Sequence, residues 1–144
     1  MQKIYFEDID IGYEIPPLVK EPISEVQIVK YAGASGDFNP LHVVHSFGEK
    51  AGYGGVIAHG MLIMGFLGQM VTDWAHDNFV KNIGVNFKAV SKPGDTITCT
   101  GKVIKKFVED NKNLVDIEMV AVNQRGEKAA TGNAIVILPN KSSK

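Results

Sequence analysis

From Phe79 onward, apolar residues fall at alternate positions, which is the period of a β-strand with one buried face. Four such runs follow one another, with apolar positions at Val85 and Phe87; Ile97, Cys99 and Val103; Val115, Ile117, Met119 and Ala121; and Ala134, Val136 and Leu138. The intervening segments 91–95, 109–113 and 123–127 contain the Gly, Pro and Asn residues that suit turns. The pattern therefore predicts four long strands joined as antiparallel hairpins.

The stretch Gly60–Trp74 is apolar on nearly every face, which predicts a helix that is buried all round. Its methionines Met61, Met64 and Met70 are then core-filling residues. One apolar helix followed by antiparallel strands buries itself most economically when the curved sheet wraps around the helix. That arrangement is the hotdog fold, of the α+β class. It leaves edge strands and one helix flank uncovered in a single chain, so we expect at least a dimer.

The chain before this helix predicts shorter elements. Residues 1–22 mix apolar and polar positions with a pair of prolines, which favours an irregular arm with one short strand near Leu18–Lys20. Ser24, followed three residues later by Gln27, has the form of a capping box. Apolar residues then recur at helical spacing, so we expect a short helix over Glu25–Ala34.

Gly36 ends this helix, and Gly36–His42 predicts a turn because Asp, Asn and Pro all favour loop geometry. Val43–Ala51 predicts another short helix. At the other end of the chain, the polar residues 140–144 predict a frayed tail. The length of 144 residues fits one domain, so we expect 1–144 to form a single unit.

Charge and cysteine content narrow the class of protein. Lys and Arg number 15 and Asp and Glu number 16, for a net charge of −1, so there is no basic excess to neutralise nucleic acid. The longest apolar stretch, Met61–Val71, is too short to span a bilayer, so no membrane partner is expected. The single Cys99 is interpreted as an inert buried thiol that cannot form an intrachain disulfide, and Met1–Asp10 lacks the features of a signal peptide. We therefore expect a cytoplasmic protein.

The candidate chemistry is concentrated in the predicted turn, which contains Asp37, Asn39, Pro40 and His42. A carboxylate and an imidazole on a turn stiffened by proline can exchange protons with a bound water near neutral pH. Gly60 begins the apolar helix, where backbone N–H groups lack intrahelical partners and suit an oxygen that gains negative charge. Together these groups can add water to a double bond conjugated to a carbonyl, and this reaction requires no cofactor.

Structural interpretations of the same residues stay open at this point. Asp-x-Asn-Pro is a common turn, in which Asp37 ties the loop together. His59 fits a structural role at the entry of the helix better than a catalytic one. His45 and His76 fit positions in solvent or at a helix end, and no pair of histidines has the spacing of a helical metal site, so no metal is expected.

Two segments resemble a known family. The run Tyr31–His42, with the sequence YAGASGDFNPLH, is followed by Ile57–Met61, with the sequence IAHGM. Together they resemble the hydratase signature of MaoC-like hotdog proteins, which include (R)-specific enoyl-CoA hydratases and (3R)-hydroxyacyl dehydratases. The resemblance extends over Phe6–Pro139. Within the family, the continuation after Gly60 is most similar to the catalytic subunits of two-chain fatty-acid dehydratases.

The resemblance implies roles for individual residues. It makes Asp37 and His42 the catalytic pair, assigns the Gly60 amide to the thioester oxygen of the substrate, and makes Asn39 a supporting residue beside Pro40. Many (R)-hydratases carry a serine at the position of Gly68, and that hydroxyl is missing here.

The expected activity is that of a hydro-lyase which interconverts trans-2-enoyl and (3R)-3-hydroxyacyl thioesters of coenzyme A or of acyl carrier protein. Two alternatives remain at this stage: a hotdog acyl thioesterase, and a non-catalytic acyl-binding subunit of a heteromeric dehydratase. The expected assembly is a homodimer or higher homo-oligomer, with a heterodimer containing a second hotdog chain as the alternative.

Overall fold

In the computed structural model, which describes residues 3–142, four helices and five strands follow a short 3₁₀ turn at Phe6–Asp8. The helices are α1 (Glu25–Ser35), α2 (Pro40–Val43), α3 (His45–Lys50) and α4 (Gly60–Ala75). The strands are β1 (Glu14–Val19), β2 (Phe79–Phe87), β3 (Thr98–Glu109), β4 (Lys112–Val122) and β5 (Lys128–Leu138).

The five strands form one antiparallel sheet in the order β1-β3-β4-β5-β2. Helix α4 packs against this sheet, and its side chains join those of the central strands in one hydrophobic cluster. Leu67 of α4 and Cys99, Ile117 and Val136 of the sheet are fully buried in that cluster. The α+β hotdog fold predicted from the periodicity is therefore confirmed.

Helix α4 leaves one flank exposed in the single chain, as the hotdog prediction expects, and burial of that flank by a second chain stays a prediction. Its core face, which includes Leu67 and Met70, is almost inaccessible, whereas Met61 is 54% exposed. The exposed stripe continues through Gly65 and Gln69 at helical spacing. Met61 is thus not a core-filling residue of this chain, because one flank of α4 has no covering element within residues 3–142.

The connection between β2 and β3 also differs from the prediction. The turns 109–113 and 123–127 do join antiparallel neighbours, since β3 pairs with β4 and β4 pairs with β5. Strand β2, however, pairs with β5 at the far edge of the sheet, so segment 91–95 is a crossover and not a hairpin turn. Alternation of apolar residues defines the buried face of a strand but not its partner.

The N-terminal arm contains a longer strand than expected. Strand β1 covers Glu14–Val19, whereas the prediction placed it near Leu18–Lys20. It pairs with β3 at the sheet edge, and its register is irregular between Ile15 and Leu18, where two prolines cannot donate backbone hydrogen bonds. A proline pair is therefore compatible with this edge strand.

Helix α1 agrees with its prediction, and the Ser24 hydroxyl accepts a hydrogen bond from the Gln27 amide at 3.0 Å, which caps the helix. The following helices are shifted. The predicted turn Gly36–His42 already contains the start of α2, and the predicted helix Val43–Ala51 is replaced by the end of α2 and by α3. Proline is favoured at the first position of a helix, which accounts for the early start.

The N-terminal and C-terminal parts of the described chain are hydrogen-bonded to each other. The predicted frayed tail, 140–144, lies partly outside the described residues. Its described part is bonded: the Asn113 amide donates to Asn140 at 2.7 Å, and the Lys141 backbone N–H donates to the Glu7 carboxylate. That 1–144 forms a single domain stays a prediction. Within 3–142, no helix has the length and hydropathy needed to cross a membrane.

Candidate active site

The loop between α1 and α2 holds Asp37 in a defined position. Gly36 adopts a left-handed conformation with φ of 74° and ends α1. The Asp37 backbone N–H then donates to the Ser35 hydroxyl at 3.2 Å, and Asp37 Oδ1 accepts from the Asn39 N–H at 3.2 Å. Oδ1 of Asp37 therefore accepts a hydrogen bond within the loop, whereas Oδ2 faces His42.

Asn39 and Pro40 start helix α2. Asn39 Oδ1 accepts a hydrogen bond from the Leu41 N–H at 3.0 Å, and Pro40 occupies the first turn. This short helix brings His42 back toward Asp37. The supporting role predicted for Asn39 and Pro40 thus corresponds to a cap and a helix start that set the separation of Asp37 and His42.

His42 faces Asp37 through one ring nitrogen. Its Nδ1 lies 2.8 Å from the carbonyl oxygen of Ile57, which can only accept, so neutral His42 carries its proton on Nδ1. Its Nε2 lies 3.9 Å from Asp37 Oδ2. This separation exceeds that of a direct hydrogen bond, and a water oxygen about 2.8 Å from each atom can bond to both. The His42 side chain is 12% exposed and that of Asp37 is 53% exposed.

A second segment, 57–60, is joined to this loop at three points. The His42 ring donates to the Ile57 carbonyl, and the Ile57 N–H donates to the Leu41 carbonyl at 3.0 Å. His59 Nε2 lies 3.0 Å from the Asp37 carbonyl oxygen. The loop and the start of α4 therefore form one bonded unit, although 22 positions separate Asp37 from His59.

Gly60 is the first residue of α4, and its amide points away from the helix body as in any helix start. Among the described residues, no acceptor bonds the Gly60 N–H. A pocket of about 220 Å³ is lined by Gly60, His42, Ile57 and Phe87 together with segment 88–91. His42 and Gly60 thus line the same cavity, whereas Asp37 is not one of its lining residues.

Phe87 forms the wall of the pocket nearest Gly60. A Cβ atom placed on Gly60 would lie 3.0–3.1 Å from three carbons of the Phe87 ring. That separation is tighter than an ordinary van der Waals contact, so a Cβ atom at Gly60 would require the Phe87 ring to shift. The periodicity of β2 predicted Phe87 as an inward residue, but Phe87 is 50% exposed, and the pattern gave no sign that it meets the helix start.

The three side chains of Asp37, His42 and His59 each offer one donor atom within 4.8 Å of the others. Their arrangement does not suit a metal ion. The two rings are stacked with centroids 3.8 Å apart and planes 24° apart, and ring lone pairs lie in the ring planes. Two such lone pairs cannot both meet one ion at about 2.0–2.1 Å. The absence of a metal stays a prediction.

The remaining histidines lie away from the site. His45 Nδ1 lies 3.5 Å from Glu49 Oε1 on α3, and the His45 side chain is 59% exposed. His76 is the exposed C-cap of α4. Both positions agree with the sequence-based interpretation. His59 is 1% exposed, and its side chain bonds to Asp37 and does not cap α4. The sequence IAHGM placed His59 at the helix entry, but no pattern in it indicated a contact with the Asp37 loop.

The family described as MaoC like domain matches residues 10–125, which is most of the chain. This chain belongs to the MaoC-like family. The match covers both the Asp37–His42 loop and the start of α4, so the resemblance drawn from those two segments is confirmed.

Two curated relatives and one solved structure illustrate the similarity. The chain is 36% identical to an (R)-specific enoyl-CoA hydratase of Rhodospirillum rubrum over 72% of this chain and 76% of that protein. It is 25% identical to a 3-hydroxybutyryl-CoA dehydratase of Methylorubrum extorquens over 98% of this chain and 88% of the other. The R-hydratase PhaJ1 of Pseudomonas aeruginosa superposes with a TM-score of 0.85 at 23% identity, covering 96% of this chain and 88% of that one, which shows a shared fold.

Proposed function

We propose that this MaoC-like chain is a hydro-lyase that adds water to trans-2-enoyl thioesters and removes it from (3R)-3-hydroxyacyl thioesters. The observation that carries the proposal is the 3.9 Å separation of His42 Nε2 and Asp37 Oδ2 beside a pocket that also contains Gly60. The names of the two curated relatives, a hydratase and a dehydratase, support the same pair of directions.

In the hydration direction, Asp37 and His42 bind one water between Oδ2 and Nε2. Because the Nδ1 proton of His42 is engaged by Ile57, the ring accepts or gives a proton through Nε2. The water oxygen forms a bond to the β-carbon of the enoyl group, and the proton lost by the water passes to this pair. The pair returns a proton to the α-carbon, so one water is added and no electron leaves the system.

The Gly60 amide stabilises the charge that forms between these two events. When water attacks the β-carbon, the electrons of the double bond move toward the thioester oxygen. An N–H group at the start of a helix is pre-oriented toward that oxygen and is aided by the helix dipole. Phe87 then covers the same region from the strand side, where it limits access of bulk water.

The carrier of the acyl group is coenzyme A or acyl carrier protein, and the names of the relatives favour coenzyme A. The assembly we propose is a homodimer. Strand β2 is a sheet edge with Phe79 and Phe87 66% and 50% exposed, and the neighbouring stripe of α4 includes exposed Met61. An open edge beside apolar side chains favours pairing with another hotdog chain. Gel filtration of purified chain should give twice the monomer mass, and a monomer that pairs only with a second hotdog chain would contradict the homodimer.

The reaction is tested by hydration of crotonyl-CoA, followed through loss of the enoyl-thioester absorbance. Asp37→Asn and His42→Ala should each lower kcat by about 10² to 10⁴, the usual contribution of a general acid or base. Asp110→Asn and His45→Ala make the same chemical changes at exposed positions and should leave kcat unchanged.

Two results would contradict the proposal. Near-normal turnover in both site variants would remove Asp37 and His42 from the mechanism. Release of free thiol without formation of the 3-hydroxyacyl thioester would instead indicate the thioesterase alternative, because hydrolysis attacks the carbonyl carbon and hydration leaves the thioester intact.

A further inference from the structure

We infer that His59 is a positioning residue that sets both the separation and the orientation of Asp37 and His42, an inference that rests on the proposed function. His59 does not line the pocket and is 1% exposed, so it does not meet the substrate. Its contacts are instead directed at both members of the proton-transfer pair.

The first contact fixes Asp37. His59 Nε2 lies 3.0 Å from the Asp37 carbonyl oxygen, and a carbonyl oxygen only accepts, so Nε2 carries the ring proton. His59 Nδ1 is buried and has no hydrogen-bond partner among the described residues, so the ring has no acceptor for a second proton there. His59 therefore presents one donor, and that donor holds the backbone from which the Asp37 carboxylate extends.

The second contact fixes the ring of His42. The two imidazoles are stacked with centroids 3.8 Å apart and planes inclined by 24°. The hydrogen bond from His42 Nδ1 to Ile57 anchors one edge of the ring, but by itself it tolerates rotation of the ring about that bond. A flat neighbour at stacking distance restricts the rotation, so Nε2 stays directed at Asp37.

A third contact holds His59 in place. The ring of Tyr31 meets the ring of His59 edge-on, with centroids 4.8 Å apart, so α1 also contacts the stack. Each histidine thus donates to a carbonyl on the segment that carries the other: His42 to Ile57, and His59 to Asp37. Loss of His59 removes one of the two side-chain ties and the stack together.

Three substitutions separate these contacts. His59→Ala removes the donor and the ring and should lower kcat by about 10- to 100-fold, the order of effect expected for a displacement near 1 Å at the reacting centre. His59→Phe keeps a stacked ring without the donor, and His59→Gln keeps an amide donor without the ring. Each should recover part of the lost kcat, and KM should stay within about twofold in all three because His59 is outside the pocket.

The matched control is Val136→Ala on β5, which also removes a fully buried side chain but lies in the sheet core. It should lower the free energy of unfolding without lowering kcat of the folded enzyme. The inference is overturned if His59→Ala retains kcat within twofold of the unchanged protein, or if its loss of kcat is matched by Val136→Ala at equal loss of stability.

NMR spectroscopy tests the contacts of His59 without any measurement of turnover. Side-chain nitrogen NMR should show the unchanged protein with His42 protonated on Nδ1 and His59 on Nε2, and His59→Gln should shift the His42 ring signals while Val136→Ala leaves them in place. An inactive wild-type protein with these signals would reject the proposed hydration but keep the positioning contact. Unshifted His42 signals in His59→Gln would reject the positioning role.

Discussion

The aromatic ring of Phe87 packs so closely against Gly60 that a Cβ atom added to Gly60 would require the ring to shift. Three ring carbons would be within 3.0–3.1 Å of a Cβ atom at Gly60. Strand β2 and the start of α4 therefore meet at the amide that we assign to the thioester oxygen. Because of this contact, adding a single methyl group at Gly60 tests whether the substrate approaches the Gly60 amide.

Gly60→Ala should lower kcat/KM by about 10- to 100-fold, because the methyl group occupies the space through which the substrate oxygen approaches the amide. The Phe87 ring is 50% exposed and can turn aside, so the thermal midpoint should change little. Steady-state kinetics on crotonyl-CoA and a melting curve measure the two quantities. Wild-type kinetics in Gly60→Ala would show that close approach to this amide is not needed.

Asp95→Ala should lower the free energy of unfolding by about 1–3 kcal/mol, since it removes a buried charged acceptor together with its hydrogen bonds. Asp95 is 3% exposed and accepts hydrogen bonds at 2.9 Å from the Lys92 N–H, from Gln124 and from Arg125, which ties the crossover after β2 to the turn before β5. Urea unfolding at neutral pH measures the loss. Asp110→Asn, on an exposed turn, is the control and should unfold like the unchanged protein.

The contribution of Asp95 to the free energy of unfolding should depend on pH. Burial by itself raises the pKa of Asp95, but the hydrogen bonds from Arg125, Gln124 and the Lys92 amide, with the charge of Arg125, outweigh it and hold the pKa below its ordinary value of 3.8. A carboxyl with a lowered pKa in the folded state stabilises the fold above the unfolded value and loses that effect as pH falls through the folded value. The difference between the unchanged protein and Asp95→Ala should therefore shrink only below about pH 4. A difference that disappears at higher pH would contradict this assignment.

Cys99 should resist thiol reagents in the folded protein. It is a fully buried residue of β3, and this burial raises the pKa of the thiol to about 11. Because the thiolate is the reactive form, labelling at neutral pH should be complete in denaturant and negligible without it. The chain has one cysteine, so the labelled fraction reports this site alone. Rapid labelling of folded protein would show that the strand opens locally.

Unfolding experiments at alkaline pH test the burial of Cys99 through its effect on the free energy of unfolding. An acid whose pKa is raised by folding keeps its proton in the folded state, so the unfolded state loses its proton first as pH rises. Between about pH 9 and pH 11 the unchanged protein should therefore lose more stability than Cys99→Ala does. If the free energies of unfolding of the two proteins fall in parallel across this pH range, the predicted effect of Cys99 burial is contradicted.

Two glycine substitutions should have opposite effects on stability. Gly48→Ala would place a Cβ atom 1.8 Å from the backbone oxygen of Gly55, so the loop that leads into segment 57–60 must move, at a cost of about 1–3 kcal/mol or more. Gly33→Ala meets nothing within 4 Å on the exposed face of α1 and should stabilise the helix by about 0.5–1 kcal/mol. Thermal midpoints of both variants measure the difference. Equal shifts would show that the Gly48–Gly55 contact is not rigid.

Elements with a strong local pattern were predictable from the sequence. The alternation in 115–121 and 134–138 identified the buried faces of β4 and β5, and Ser24 marked the start of α1, because side-chain period and end capping act within a few residues. The early start of α2 at Pro40 was missed because the same Asn-Pro pair is compatible with a turn and with a helix start.

The candidate site was predictable only in its parts. Asp37, His42 and Gly60 were identified as residue types capable of the chemistry, yet the 3.9 Å separation of the first two depends on the capped helix between them. The role inferred for His59 had no sequence signal, because its two contacts involve a backbone carbonyl and a ring face on another segment. Every residue has a backbone carbonyl and every histidine has a ring face, so the sequence does not show which of them His59 will contact.

Local patterns in the chain were enough to identify the residues that can be buried, the start of the long helix, the uncovered helix flank, and a loop that contains both an acid and an imidazole. The pairing of β2 with β5 and the stacking of His42 on His59 became known only from the folded chain. The reason is physical. Periodicity and capping depend on neighbours along the chain, whereas strand partners and ring contacts depend on how distant segments share the same core.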